Sequence, residues 1–122
     1  MSLKVTSREK TIGTFIVKPS GTLDTNTYQI LDNRINMLLE ASPKMIVFDM
    51  EELDYISSMG VRSIARAKKE LKKTDGQVVL LNLKPPIKKV FDIIKALPKE
   101  QIFNNLKELD EYLDIMQKKV EE

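Results

Sequence analysis

Two adjacent serines, Ser57 and Ser58, lie where an acidic loop gives way to a sequence with helical periodicity. The apolar run 45–48 enters that loop, and Gly60 follows the serines. At the start of a helix, a serine hydroxyl commonly accepts hydrogen bonds from free backbone N–H groups. The same position favours a phosphoryl group, because the helix dipole and the free N–H donors stabilise an anion, and the glycine leaves room for it. The serines are therefore either structural caps or phosphorylation sites.

The acidic residues of this loop suggest two further chemistries. Asp49, directly after the apolar run, looks like the phospho-accepting aspartate of a receiver domain, but the first two predicted strands lack the additional carboxylates that would hold Mg²⁺. A site for a hard metal ion is the second option, although the spacing of a calcium-binding loop is absent. A solvated loop that faces a partner is the simpler interpretation of its four carboxylates, Asp49, Glu51, Glu52 and Asp54.

The composition excludes most enzyme mechanisms. The 122 residues include no cysteine and no histidine, which excludes disulfides, thiol nucleophiles and imidazole groups. Neither of the phosphate-binding patterns GxxxxGK[ST] and GxGxxG occurs. We therefore expect no catalytic residue, no metal site and no cofactor. The net charge of +2 gives no indication of nucleic-acid binding.

The length and the hydropathy pattern indicate one soluble domain. No segment approaches the roughly 20 apolar residues of a membrane span, and the N-terminus lacks an apolar signal region. We expect a cytoplasmic protein that does not insert into a membrane. A single domain should cover residues 1–122, with a polar tail from about 117 to 122.

Apolar periodicity and turn residues predict alternating strands and helices around this loop. In chain order we predict strands 3–5 and 11–18 joined by a hairpin loop 7–10, helix 26–40, strand 45–48, helix 58–73, strand 77–83, helix 85–97, a short edge strand 101–103 and helix 106–120. This order predicts an α/β sandwich, with a mixed sheet of four to five strands flanked by about four helices. Sites in such sheets gather at the carboxyl ends of parallel strands, where loop 49–60 falls.

The loop also resembles the signature of STAS domains, specifically that of the bacterial anti-sigma factor antagonists. The residues that carry the resemblance are Leu53-Asp54-Tyr55-Ile56-Ser57-Ser58-Met59-Gly60-Val61. Residues 20–24 are similar to the family's Gly-x-Leu-Asp segment, and residues 76–83 and 86–92 are similar to its fourth strand and third helix. The resemblance covers nearly the whole chain, with its parts in the right order.

The resemblance implies a regulatory switch. In the family, the unphosphorylated antagonist binds an anti-sigma factor that is itself a serine kinase, and this releases the sigma factor. Phosphorylation at the start of the second helix breaks the complex, and a serine phosphatase restores it. A homodimer is a further expectation. The resemblance places a partner-binding surface at Gly21, Leu23, Asp24, Asp54, Tyr55, Ile56, Ser57, Ser58, Met59, Gly60 and Arg62.

The sequence departs from the family pattern at the acceptor position. The family's order is Asp-Ser-Ser/Thr-Gly, with the acceptor directly before the glycine. When the chain is aligned on Gly60, Met59 occupies the acceptor position and Ser57 replaces the aspartate. We therefore nominate Ser58 as the phosphorylation site, with Ser57 as the alternative. A second hypothesis is a STAS domain that is not phosphorylated and serves as a scaffold or as a subunit of a transport complex.

Overall fold

The computed structural model describes residues 2–96 and 106–121. Within these residues the chain forms five strands and four helices. In chain order they are β1 (Leu3–Thr11), β2 (Thr14–Leu23), α1 (Tyr28–Leu39), β3 (Met45–Asp49), β4 (Leu53–Ile56), α2 (Ser58–Lys72), β5 (Gln77–Leu81), α3 (Pro85–Ala96) and α4 (Leu106–Glu121). The predicted α/β architecture with a mixed sheet is confirmed.

The long strand β2 organises the sheet. One edge of β2 pairs antiparallel with β1 from Leu3↔Gly21 onward. Its first half pairs parallel with β3, and residues Gly21 to Leu23 pair parallel with β4. Strands β3 and β4 therefore lie one after the other along the same strand. Because β5 pairs with β3, the outer edge of β4 has no strand neighbour in the described part of the chain.

The predicted hairpin loop 7–10 is wrong. Strand β1 continues to Thr11, and the turn consists of Ile12 and Gly13, where Gly13 has a φ of +83°. The polar residues 7–10 fit a strand because β1 is an edge strand whose side chains in this stretch are mostly exposed. The edge strand predicted at 101–103 lies outside the described residues.

Strand β4 lies inside the segment that we predicted as a loop. Its sequence does not alternate strictly, since Leu53 and Ile56 are buried and the two residues between them are more exposed. A tight turn, in which the N–H of Leu53 donates to the carbonyl of Met50, separates it from β3. The segment is too short and too irregular for periodicity to identify it as a strand.

The core forms where the inward residues of the sheet meet the helices. Ile46 and Phe48 of β3 are fully buried, as are Leu31 of α1 and Leu113 of α4. The predicted polar tail starts too early. Helix α4 continues to Glu121, and Gln117 is only 2% exposed because it lies one helical turn from Leu113, on the same buried face.

Candidate functional site

The two serines lie at the junction of β4 and α2. Ser57 occupies the N-cap position with an extended backbone, at φ −98° and ψ 178°. Its N–H donates to the carbonyl of Leu23 at 2.9 Å, and its carbonyl accepts from the N–H of Val61 at 3.1 Å. The first bond holds the start of α2 against the end of β2, and the second is the first hydrogen bond of the helix itself.

The serine hydroxyls do not cap the helix, so the capping interpretation is wrong. Ser57 is 3% exposed and Ser58 is 8% exposed, and neither Oγ atom has a hydrogen-bond partner among the described residues. A buried polar group without a partner costs about 1–3 kcal/mol. The two adjacent hydroxyls therefore lower the stability of the folded chain at this junction.

A carboxylate from α4 takes over the role of a cap. Oδ1 of Asp110 accepts a hydrogen bond from the N–H of Ser58 at 2.7 Å. The first turn of α2 contains no acidic residue of its own. A carboxylate at the amino end of a helix is stabilised by the free N–H groups and by the helix dipole. Asp110 therefore occupies the position that favours an anion.

A second polar residue of α4 bonds the edge of β4. The side-chain amide of Gln117 accepts from the N–H of Ile56 at 3.1 Å and donates to the carbonyl of Ile56 at 2.9 Å. It also donates to the carbonyl of Leu113 at 3.2 Å. The amide thus substitutes for the peptide group of a neighbouring strand, where β4 has no strand partner in the described residues.

Two glycines permit close packing around the junction. Gly21 has a φ of +107°, and a Cβ atom at this residue would lie 2.4 Å from the carbonyl oxygen of Ser2. A Cβ atom at Gly60 would lie 2.7 Å from side-chain atoms of both Ile56 and Leu23. The sequence suggested that Gly60 leaves room for a phosphoryl group, but the structure fills that space with side chains. Gly60 lets the first turn of α2 contact the sheet directly.

The eleven predicted partner-binding residues separate into two groups. Five are buried and support the surface from beneath: Leu23, Ile56, Ser57, Ser58 and Gly60. Six reach the surface: Gly21, Asp24, Asp54, Tyr55, Met59 and Arg62. In α2 the separation follows from the fold, because the side that carries Ser58 and Gly60 is buried while Met59 and Arg62 lie on the outer side.

The accessible position and the phosphorylatable position are adjacent but different. Met59 is half-buried, and its sulfur accepts a hydrogen bond from Nη1 of Arg62 at 3.7 Å. A thioether cannot accept a phosphoryl group. Ser58 carries a hydroxyl that could, yet this hydroxyl is enclosed. Phosphate transfer to Ser58 therefore requires a conformation more open than this one.

A groove with acidic walls lies beside Met59. Its volume is about 590 Å³, and its lining residues are Thr25, Met59, Lys107, Asp110, Glu111 and Asp114. Burial, together with the nearby carboxylates of Asp114, Asp110 and Asp24, raises the pKa of Tyr55 to about 12. Tyr55 thus keeps its proton at neutral pH, and its hydroxyl hydrogen-bonds the carboxylate of Asp114.

The acidic residues before the serines have structural partners. Oδ1 of Asp49 accepts from the N–H of Glu51 and from the amide of Asn82, both at 3.1 Å. Glu52 pairs with Lys18 at 2.8 Å, and Asp54 pairs with Lys84 at 2.9 Å. In the described ranges, no three His, Cys, Asp or Glu side chains converge as metal ligands. None of the helices described there has the length and apolarity that a membrane span requires.

Neither α4 residue that bonds the junction was predicted from the sequence. Asp110, Leu113 and Gln117 are spaced three and four residues apart, which places them on one face of the helix. Leu113 belongs to the apolar stripe from which helix 106–120 was predicted. The position of these polar residues beside a buried leucine was therefore the available sign that they face the domain. The sequence does not indicate which backbone groups they bond.

The fold and the site define a mixed-sheet α/β domain whose candidate surface surrounds the start of its second helix. The family model of the STAS domain matches residues 5–109, and the chain belongs to the STAS domain family. The expected family is confirmed, and the chain is therefore not assigned to the receiver domains considered for Asp49.

Relatives and solved structures agree with this membership. The chain is 31% identical over 85 residues to BtrV of Bordetella bronchiseptica, a proposed anti-sigma factor antagonist, covering 70% of this chain and 73% of BtrV. The phosphorylated form of the Bacillus cell fate determinant SpoIIAA superposes with a TM-score of 0.64 at 24% identity, covering 75% of this chain and 83% of SpoIIAA. An anti-sigma factor antagonist of Mycobacterium paratuberculosis gives 0.65 at 23% identity, covering 99% and 96%. The two structures support the fold.

Proposed function

We propose that the chain is an anti-sigma factor antagonist, a cytoplasmic protein-binding module that binds an anti-sigma factor of the serine-kinase type and is not itself an enzyme. The observation that carries the proposal is the position of the STAS signature. Residues 53–61 form the β4–α2 junction, and Asp54, Tyr55, Met59 and Arg62 reach the surface there. The relationship to BtrV supports the same role.

The surface has the chemistry of a protein interface. Met59 and Tyr55 offer half-buried apolar area at its centre, and Arg62 and Asp54 supply exposed charges at its margin. Apolar and aromatic anchors inside a polar rim are typical of interfaces that exclude water. The hydroxyl of Tyr55 hydrogen-bonds the carboxylate of Asp114 within the chain, so Tyr55 offers its aromatic ring to a partner.

We propose Ser58 as the site of regulation by phosphorylation, with Ser57 as the alternative. In the transfer, Oγ of Ser58 bonds to the γ-phosphorus of the kinase's Mg-ATP, the bond from that phosphorus to ADP breaks, and the hydroxyl proton is released. The phosphoryl group adds a charge of about −1.5 to −2 beside Asp110. The added charge is repelled by the Asp110 carboxylate and disturbs the partner surface. A serine phosphatase would reverse the change.

A non-phosphorylated scaffold, or a subunit of a transport complex, is the second candidate. Two observations favour it: Met59 occupies the accessible acceptor position, and the hydroxyls of Ser57 and Ser58 are both enclosed. A scaffold should bind its partner equally well with Ser58→Ala and Ser58→Asp. A switch should lose affinity with Ser58→Asp alone.

The partner surface is tested by titrating the purified chain with purified kinase-type anti-sigma factors from its source organism. Arg62→Glu should weaken binding at least about tenfold, because it reverses a charge at the rim of the interface. Lys44→Glu is the matched control, since Lys44 is exposed at the opposite end of the sheet, before β3. Absence of binding to any such factor, or equal effects of the two variants, would overturn the proposal.

A further inference from the structure

Helix α4 bonds the backbone at the proposed acceptor residue and two residues before it. Asp110 bonds the N–H of Ser58 itself, and Gln117 bonds both backbone polar groups of Ile56, two residues earlier. Asp110 and Gln117 lie seven residues apart, so two turns of one helix face span the junction. The junction and α4 are therefore connected by three directed hydrogen bonds.

Water can replace these three hydrogen bonds, whereas it cannot replace the contacts of a packed apolar core. Water can solvate the N–H groups of Ser58 and Ile56 and the amide of Gln117 once α4 moves away. Leu113, between the two polar residues, is a fully buried apolar side chain that opposes this movement, and the packing of α4 on α3 opposes it as well. A junction with two unpartnered hydroxyls also gains hydrogen bonds to water when it opens.

We propose that α4 is a gate over Ser58: Asp110 and Gln117 hold it closed, and its opening exposes the hydroxyl and the first-turn N–H groups of α2. The regulatory consequence rests on the proposed function, whereas the gate is a property of the chain alone. Asp110 and Gln117 are positioning residues, since they act on the junction and not on a phosphoryl donor.

A phosphoryl group on Ser58 would keep the gate open. The first-turn N–H groups that would bind the phosphoryl oxygens include the one that Asp110 occupies. The carboxylates of Asp110 and Glu111 line the adjacent groove and repel the added charge. One modification thus displaces the carboxylate and releases α4 in the same event.

The absence of cysteine allows a direct test without a partner. Ser58→Cys introduces a unique thiol at the gated position. Met37→Cys supplies the accessible reference, because Met37 is 63% exposed on α1. With a maleimide as the probe, the thiol at residue 58 should react at least roughly a hundredfold more slowly, since reaction must wait for local opening. Rates are measured across a range of pH, so that the thiol's pKa is separated from its accessibility.

Variants in the Ser58→Cys background then test what holds the gate. Gln117→Ala should accelerate the thiolate reaction roughly tenfold, because two hydrogen bonds to Ile56 are lost without any change of charge. Asp110→Ala should accelerate it as well, and Asp110→Asn, which keeps an oxygen acceptor, should do so less. Lys119→Ala, at an exposed residue of α4 that does not line the groove, is the control on the same helix and should leave the rate unchanged.

Amide hydrogen exchange of the otherwise unaltered chain provides a second measurement, independent of the cysteine. The N–H groups of Ile56 and Ser58 should exchange together, and Gln117→Ala should accelerate both. A thiol at residue 58 that reacts as fast as the one at residue 37 would overturn the gate, as would unchanged exchange in Gln117→Ala. Neither readout uses an anti-sigma factor, so failure of the gate is distinct from failure of the proposed function.

Discussion

The carboxylate of Asp110 lies 2.7 Å from the backbone nitrogen of Ser58, although 52 residues separate the two in sequence. This bond connects α4 to the first turn of α2, where an anion is most stabilised. The backbone N–H of the proposed phosphate acceptor is therefore already bonded to a negatively charged carboxylate. In the unmodified protein, the carboxylate of Asp110 occupies the anion-binding position at the start of α2.

The Asp110 bond should be measurable as stability. Asp110→Ala removes a charge-assisted hydrogen bond and the interaction with the helix dipole, and should lower the free energy of unfolding by about 1–2 kcal/mol. Asp110→Asn should lose less, because it retains an acceptor. Chemical denaturation measures both against Glu111→Ala, the control on the same helix. Equal stabilities of Asp110→Ala and Glu111→Ala would contradict the assignment.

Gln117 should contribute more than a surface glutamine. Gln117→Ala leaves the N–H and carbonyl of Ile56 without their partner and creates a small cavity, so a loss of about 2–4 kcal/mol in unfolding free energy is expected. Gln117→Glu keeps the acceptor for the N–H but places an oxygen against the carbonyl of Ile56, and should also destabilise. Urea denaturation provides the measurement, and a loss below about 0.5 kcal/mol for Gln117→Ala would be inconsistent with the two bonds.

Gly60 should resist replacement despite its helical position. Alanine is the better helix former by about 1 kcal/mol, which would stabilise α2 if space allowed. Its Cβ would lie 2.7 Å from atoms of Ile56 and Leu23, so Gly60→Ala should instead destabilise by about 1–3 kcal/mol. Ala65→Gly, at an exposed site of α2, calibrates the propensity term in the same denaturation series. A more stable Gly60→Ala variant would show that the contact is easily relieved.

The hydroxyl of Tyr55 should lose its proton at a higher pH than an ordinary tyrosine does. Burial, followed by the carboxylates of Asp114, Asp110 and Asp24, raises its pKa from 10.0 to about 12. Because the folded pKa exceeds the unfolded one, the contribution of Tyr55 to stability is fully present below pH 10.0 and is lost as the pH rises toward 12. The ultraviolet absorbance of phenolate measures the titration. Tyr55→Phe should remove the component near pH 12, and an unchanged curve would contradict the prediction.

The strands and helices of the core could be predicted because their signals are local. The apolar runs that begin at Met45 and Gln77 form strands within one or two residues of the predicted ends, and α2 begins at Ser58 as predicted. Of these two strands, β5 lies at the edge of the described sheet and is only partly buried. Strand β4 was missed because its four residues derive their conformation from pairing with β2, which is remote in sequence. The polar residues 7–10 look like a loop, and only their pairing with β2 makes them a strand.

The candidate site could be located from sequence but not resolved. The signature places the predicted site at the β4–α2 junction, yet periodicity could not show that Ser58 is buried while Met59 remains partly accessible. The bonds from Asp110 and Gln117 cross 52 and 61 residues of sequence. Such contacts arise from packing of the whole domain, and no local pattern encodes them.

The affinity of the chain for a kinase-type anti-sigma factor, measured before and after incubation with Mg-ATP, tests the central claim most directly. Ser58→Ala is measured in parallel, and phosphate is mapped by mass spectrometry. We predict that the chain loses at least about tenfold in affinity after incubation, equivalent to about 1.4 kcal/mol, while Ser58→Ala does not. An affinity that ATP leaves unchanged, or an equal loss in Ser58→Ala, would contradict the account.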